Sequence, residues 1–375
     1  MKKFSIHFIT VFAAVLPFLA PLAQTQSKNA APQATNSNEQ TVQNNKALPN
    51  VMILATGGTI AGAAKSGAQA AYTSGQVTID AMVNAIPEVT KIANIKGEQI
   101  SNVGSQDMSF EIMLKLANRI NQAKDNTSVD GFVITHGTDT MEETAYFLNL
   151  VCKTDKPVVL VGSMRPSTAI SADGPLNLYD AVAVAADPNA KNRGVLLVMN
   201  DWIHSAQTLT KVSTTAVQTF MSPIRGLIGT TAYGVNEYYR YPHQKYGAKS
   251  EFSVDGVTKL PRVDVIYAGA DMNADLIDAA VKLGAKGLVI AGVGNGNMNK
   301  ASLDACARAS KQGVVVVRST RVATGNVARN VEVNDDQMGL IASYGLNPQK
   351  SRILLSVALL QPRKLDEIQR LFLEY

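Results

Sequence analysis

Cysteine is nearly absent from this 375-residue chain, which has two, alongside four histidines and one tryptophan. Cys152 and Cys306 lie far apart, in segments read as different helices, and neither belongs to a CxxC pair. Two free, buried thiols are expected rather than a disulfide framework. The histidines are scattered with no HxxxH, so a structural or catalytic metal has little support. Charge is sparse as well: 17% of residues are Asp, Glu, Lys or Arg, and the net +5 is not gathered into a basic run. That argues against a nucleic-acid surface. Past residue 23 no apolar stretch is long enough to span a bilayer.

What is present begins with an unusual start. Lys2 and Lys3 precede the apolar "FSIHFITVFAAVLPFLAPLA" (4–23), and the chain then turns abruptly polar. This three-part plan predicts a signal peptide over 1–23, cleaved near Ala20 or Ala23. Pro17 and Pro21 oppose a long spanning helix, so no stable membrane association is expected after cleavage. Residues 24–48 are rich in Gln, Asn, Ala, Ser and Thr without apolar period, and read as a disordered leader. An exported, periplasmic protein is the expectation. With Lys2 and Lys3 set aside, 33 basic residues oppose 30 acidic ones, a nearly balanced surface.

The hydrophobic content of 46% is enough for a sizeable core. From residue 50 short β-branched runs alternate with Gly-containing turns and helical stretches. The runs are "VMILAT" (51–56), "GFVITHG" (131–137), "PVVLVGS" (157–163), "GVLLVMN" (194–200), "RVDVIYAG" (262–269), "GLVIAG" (287–292) and "GVVVVRS" (313–319). Helices are expected over 109–124, 141–153 and 273–284. Continuous apolar strands between helices predict an α/β fold with a mostly parallel sheet covered on both faces. The polar, aromatic stretch 233–261 breaks the rhythm. It divides the body into a larger N-terminal α/β domain (49–239), a connection (240–261) and a smaller C-terminal α/β domain (262–375).

In such folds ligands bind beyond the carboxyl ends of the strands. "ILATGGTIAG" (53–62) places Thr56-Gly57-Gly58-Thr59 at one strand end. It lacks the lysine of a P-loop and departs from GxGxxG, which leaves a plain glycine turn or a presented hydroxyl. "THGTDT" (135–140) closes another strand and leads straight into a helix. Asp139 or Thr140 reads as its N-cap, with Glu142 or Glu143 favouring the first turn. A cap alone does not account for two hydroxyl-rich tips on neighbouring parallel strands, which would face one crevice. "NVGSQDM" (102–108) adds Ser105 and Gln106, and a polar loop after another strand adds Lys211.

Together these segments resemble the two signatures of bacterial L-asparaginases, the asparaginase/glutaminase family, over about residue 49 to Tyr375. "VGSMRPSTAISADGPLNLYDA", "GVGNGN" and "LNPQK" are similar to its pattern as well. With the leader, the chain resembles the exported type II branch. The resemblance implies hydrolysis of L-asparagine to aspartate and ammonia, with minor action on L-glutamine. It implies a threonine nucleophile at Thr56, a loop tyrosine at Tyr72, and Thr138, Asp139 and Lys211 as catalytic partners. Ser105 and Gln106 would bind substrate, as would Asp139. Glu332, from the C-terminal domain of a neighbouring subunit, would act in both binding and catalysis, within a homotetramer that shares its active sites.

The residue types suit this chemistry. An alcohol needs a base to become a nucleophile. No histidine is positioned by motif for that task, and a Thr-Lys-Asp set is a reasonable substitute by analogy with Ser-Lys and Thr variants. Asp139 beside Lys211 would nevertheless oppose the deprotonation that a lysine base requires. Amides around Gly57-Gly58 and Gly137-Thr138 are candidate oxyanion donors. One departure stands out: where many relatives have a C-terminal-domain asparagine reaching a neighbour's site, this chain has Asp271. Gln106 resembles the asparaginase-selective members, which implies a preference for asparagine, and hydrolysis through an acyl-enzyme needs neither cofactor nor metal. A periplasmic amino-acid-binding protein is the alternative, sharing the leader, two α/β domains and a crevice.

Overall fold

The structure, a computed structural model, describes residues 47–63, 66, 73, 75 and 78–375. The expected signal peptide, the leader up to residue 46, and Tyr72 lie outside the described residues.

Among the described residues, eight strands form the first sheet. They start with β1 (Asn50–Gly57), β2 (Asn94–Val103), β3 (Gly131–Thr135), β4 (Val158–Val161), β5 (Val195–Met199) and β6 (Trp202–Ser205). A separate ribbon follows, β7 (Thr210–Lys211) against β8 (Phe220–Met221), before β9 (Gly229–Ala232) and β10 (Val235–Tyr238) complete the sheet. The order is β10-β9-β6-β5-β4-β3-β1-β2. Pairing is parallel from β5 to β2 and antiparallel from β5 to β10. The runs at 51–56, 131–137, 157–163 and 194–200 supply the four inner parallel strands, each buried on both faces because helices cover both.

Helices α1 (Ile79–Asn84), α2 (Val89–Ile92), α3 (Phe110–Ala123), α4 (Met141–Val151) and α5 (Gly174–Ala186) accompany this sheet. Alternation decides which face each side chain takes. Met52, Leu54, Phe132, Ile134 and Leu160 point into the cluster of α3 and α4. Val51, Ile53, Val133, Val159 and Val161 point to α5 and the short helices.

The second sheet is β11 (Val263–Tyr267), β12 (Gly287–Gly292), β13 (Val315–Thr320) and β14 (Leu340–Ala342), parallel throughout in that order. Its helices are α6 (Asp275–Lys282), α7 (Lys300–Lys311), α8 (Asp335–Met338), α9 (Pro348–Ala358) and α10 (Leu365–Glu374). Leu288, Ile290 and Val316 pack with α6 and α7. Val289, Val317 and Ile341 face α9 and α10, and there they join the same core as α3 and α4. Helix α4 is therefore buried nearly all round. Residues 240–261 have little regular structure, yet they add Phe252, Val254 and Leu260 to this shared core. The Glu251 amide donates to the Tyr375 hydroxyl at 2.7 Å, fixing this segment to the end of the chain. Both thiols are free and buried, Cys152 at the end of α4 and Cys306 within α7. Burial raises both, Cys306 to about 12.

Candidate active site

The parallel strands run β2-β1-β3-β4-β5, so chain direction in the sheet reverses between β1 and β3. At such a switch point the connections leave to opposite sides and open a crevice at the strand ends. Both threonine-rich tips stand there. The β1/β3 register pairs Ala55 with Thr135, so Thr56 and His136 step off the ladder together.

Thr56 occupies an interruption on its other flank. The β1/β2 register passes from Ala55↔Gln99 to Gly57↔Val103, leaving Thr56 inside the irregularity. Such irregularities re-aim a side chain. Thr56 is 1% exposed, and its hydroxyl donates to the Thr135 carbonyl at 2.8 Å. Gly57 and Gly58 then turn the chain with φ of 107° and 82°, backbone that favours glycine. Thr59 opens a short 3-10 turn. The Gly58 amide donates to the Val103 carbonyl at 3.0 Å. This bond takes the Gly58 amide itself out of the candidate oxyanion donors around Gly57-Gly58.

Past β3 four predicted residues come into direct contact. Lys211 Nζ donates to Thr138 Oγ1 at 2.9 Å and to Asp139 Oδ1 at 2.6 Å. The Asp139 amide donates to Ser105 Oγ at 3.1 Å, and the Thr140 hydroxyl donates to the Ser105 carbonyl at 2.7 Å. Thr140 holds the N-cap position of α4, but its side chain ties the helix start to the Ser105 turn instead of capping. Thr138 in turn donates to Met164 Sδ at 3.4 Å.

His136 is fully buried between these tips. Its Nδ1 donates to the Gly137 carbonyl at 2.7 Å, so its Nε2 accepts from Thr144 Oγ1 at 2.8 Å. Burial holds it neutral, pushed down to about 4. It braces the loop that carries Thr138.

The remaining predicted residues stand apart. Gln106 is exposed, and its amide donates to Asp107 at 3.2 Å. Glu332 accepts from Asn295 at 3.5 Å and from Asn297. None of its hydrogen-bond partners among the described residues belongs to the Thr56–Thr138 cluster. Asp271 is exposed with φ of 55°, a left-handed conformation that Asp and Asn tolerate better than most residues.

Sequence reasoning missed the support beneath the site. Glu142, in the first turn of α4, is buried. Its Oε1 accepts from Thr210 Oγ1 at 3.3 Å and from Gln349 Nε2 at 2.9 Å. Its Oε2 accepts from Asn347 Nδ2 at 2.9 Å and lies 3.7 Å from Lys350 Nζ. Burial pushes Lys350 down to about 8, against the opposing pull of Glu142. One signal was available: "LNPQK" puts a lysine in the first turn of an apolar helix, against the dipole, which calls for a nearby anion.

The chemistry of this arrangement agrees with the comparisons to known proteins. The profile described as "Asparaginase, N-terminal" matches residues 50–244, and "Glutaminase/Asparaginase C-terminal domain" matches residues 262–372. The chain belongs to the asparaginase family. It is 53% identical over 329 residues to the "Probable L-asparaginase periplasmic" of Haemophilus influenzae, covering 88% of this chain and 93% of that protein. It is 51% identical to "L-asparaginase 2" of Escherichia coli, covering 88% of this chain and 94% of that protein. The solved structure described as "Probable Cytoplasmic L-asparaginase from Campylobacter jejuni" matches with TM-score 0.85 and 44% identity. It covers 87% of this chain and 100% of that one. Membership places the chain among amidohydrolases and favours an enzyme over a binding protein. The expected periplasmic location is overturned here: the asparaginase whose solved chain is matched in full is described as cytoplasmic. The Haemophilus relative carries the opposite label, so the asparaginase body does not fix a compartment.

Proposed function

We propose that the chain hydrolyses L-asparagine to L-aspartate and ammonia through an ester on Thr56, with minor hydrolysis of L-glutamine. The observation that carries this reading is the placement of Thr56 at the β1/β3 switch point, beside the Lys211–Thr138–Asp139 cluster. In the proposed sequence Thr56 Oγ attacks the side-chain amide carbon, forming a C–O bond. The hydroxyl proton passes to the amide nitrogen, the C–N bond breaks, and ammonia leaves. Water, oriented by Thr138 and Lys211, then attacks the ester. The C–O bond to Thr56 breaks, Thr56 regains its proton, and aspartate departs.

A preorganised donor or cation close to the developing charge supplies a large share of such rate enhancement. Lys211, with the Gly137–Thr138 backbone, fits that part. Asp139, exposed at the crevice, fits the α-ammonium of the substrate, and Ser105 fits its carboxylate. We assign Tyr72 and a neighbouring subunit's Glu332 to activation of Thr56, Gln106 and Asp271 to substrate contacts, and a homotetramer to the assembly. The bounds 49–239 and 262–375, joined by 240–261, are our proposed domains.

Ammonia and aspartate release on asparagine and glutamine, measured side by side, tests the reading. Thr56→Ala should keep the fold and lose nearly all turnover. Acid-quenched wild-type enzyme should carry an aspartyl mass adduct on the peptide containing Thr56. Substantial turnover by Thr56→Ala would move the nucleophile to Thr138.

A further inference from the structure

Lys211 reaches its partners from a two-residue strand, too short to fix its own register. The segment just before it is held instead from beneath. Lys350 Nζ donates to the Gln207 carbonyl at 3.0 Å and to the Leu209 carbonyl. Glu142 accepts from the next residue, Thr210, at 3.3 Å. Glu142 also lies about one helical turn beyond Asp139, on the α4 start that follows Thr138. The same ion pair therefore grips both sides of the contact between Lys211 and its partners. Asn347 completes the device: its Oδ1 caps α9 by accepting from the Lys350 amide at 3.0 Å, while its Nδ2 donates to Glu142 at 2.9 Å.

We infer that the buried Glu142–Lys350 pair is a positioning device for Lys211, coupling the first turn of α9 to the catalytic cluster. The inference rests on the proposed role of Lys211. A charged pair in a core is weak evidence for added stability, since an apolar pair of similar volume often does as well or better. Its partners in 207–210 are the Gln207 and Leu209 carbonyls and the Thr210 hydroxyl, and a well-packed apolar pair would leave those groups without their anchor. Misplacing a catalytic group by about 1 Å costs on the order of a hundredfold in rate.

The test compares Lys211→Met, the charge-neutral double variant Glu142→Gln/Lys350→Met, and Thr210→Val, reading Tm, kcat and KM on asparagine. Lys211→Met should be inactive, and wild-type turnover there would defeat the reading on which the inference rests. The double variant should keep a near-native Tm while kcat falls by at least about tenfold with a smaller change in KM. Lys350→Arg, which keeps charge and donors, should recover part of that loss. A double variant with native Tm and wild-type kcat, alongside an inactive Lys211→Met, overturns the inference. If the double variant fails to fold, Thr210→Val decides. That variant removes only the hydroxyl held by Glu142, and unchanged kcat there overturns the inference equally.

Discussion

Gly58 and Gly137 meet backbone to backbone, so closely that a β-carbon on Gly58 would stand 2.3 Å from the Gly137 amide nitrogen. The two signature loops thus touch through their glycines, and this contact sets the spacing between Thr56 and Thr138. Gly58→Ala adds both a steric clash against immobile backbone and the strain of φ at 82°. It should abolish turnover and lower stability by more than about 2 kcal/mol. Gly226→Ala is the control, with φ of 71° but open space around it, and should cost only about 1 kcal/mol. Thermal unfolding and initial rates on both variants check this; equal losses would show that strain alone is at work.

The Lys211–Asp139 pair is short, but the Asp139 side chain is 59% exposed. Solvent screening limits such a pair to about 0–1 kcal/mol. Lys211→Met should therefore leave Tm within a few degrees of wild type while removing activity. A collapse of Tm would make the pair structural.

Arg318 is the largest fully buried side chain and forks onto Asp335 at 2.6 and 2.8 Å. It also donates to the Asn295 and Ala328 carbonyls at 3.0 and 3.1 Å. These bonds shape the two loops that display Asn295, Asn297 and Glu332. Arg318→Met leaves Asp335 buried without its cation and should cost about 3–5 kcal/mol, measured by urea unfolding. A cost below about 1 kcal/mol would mean that water enters and solvates Asp335.

Two buried histidines give the fold an acid limit. Burial lowers His136 to about 4 and His204 to about 3, from the ordinary 6.5. Below pH 6.5 the unfolded chain binds protons that the folded one refuses, so stability falls as pH falls. The His136 share is complete near pH 4 and amounts to roughly 3 kcal/mol. His136→Gln should lower Tm at pH 7 but flatten its decline between pH 6.5 and 4. Parallel Tm profiles for the two proteins would count against this origin.

The inner strands were legible because they are continuous apolar runs buried on both faces: 51–56, 131–137, 157–163, 194–200 and 287–292 all lie on observed strands. β2 was harder to read, since its "NIKGEQISNV" is polar and half-exposed, and β14 is only three residues long. Glu142 and Glu143 were legible as first-turn acids of α4, but not their partners. Helix α9 covers that turn, and Glu143 meets Arg352 at 3.2 Å while Glu142 meets Asn347.

The sequence by itself determined the alternation of strand and helix, the glycine tips, and the chemical types at the crevice. Periodicity and backbone preference are local properties, written within a few residues of one another. Tertiary structure decided that β1 and β3 adjoin, that Thr138, Asp139, Lys211 and Ser105 touch, and that Glu332 stands with Asn295 and Asn297. It also decided that Lys350 reaches beneath the strand of Lys211. Those contacts join residues dozens to hundreds of positions apart, and only the packing of a shared core around α4 and α9 brings them together.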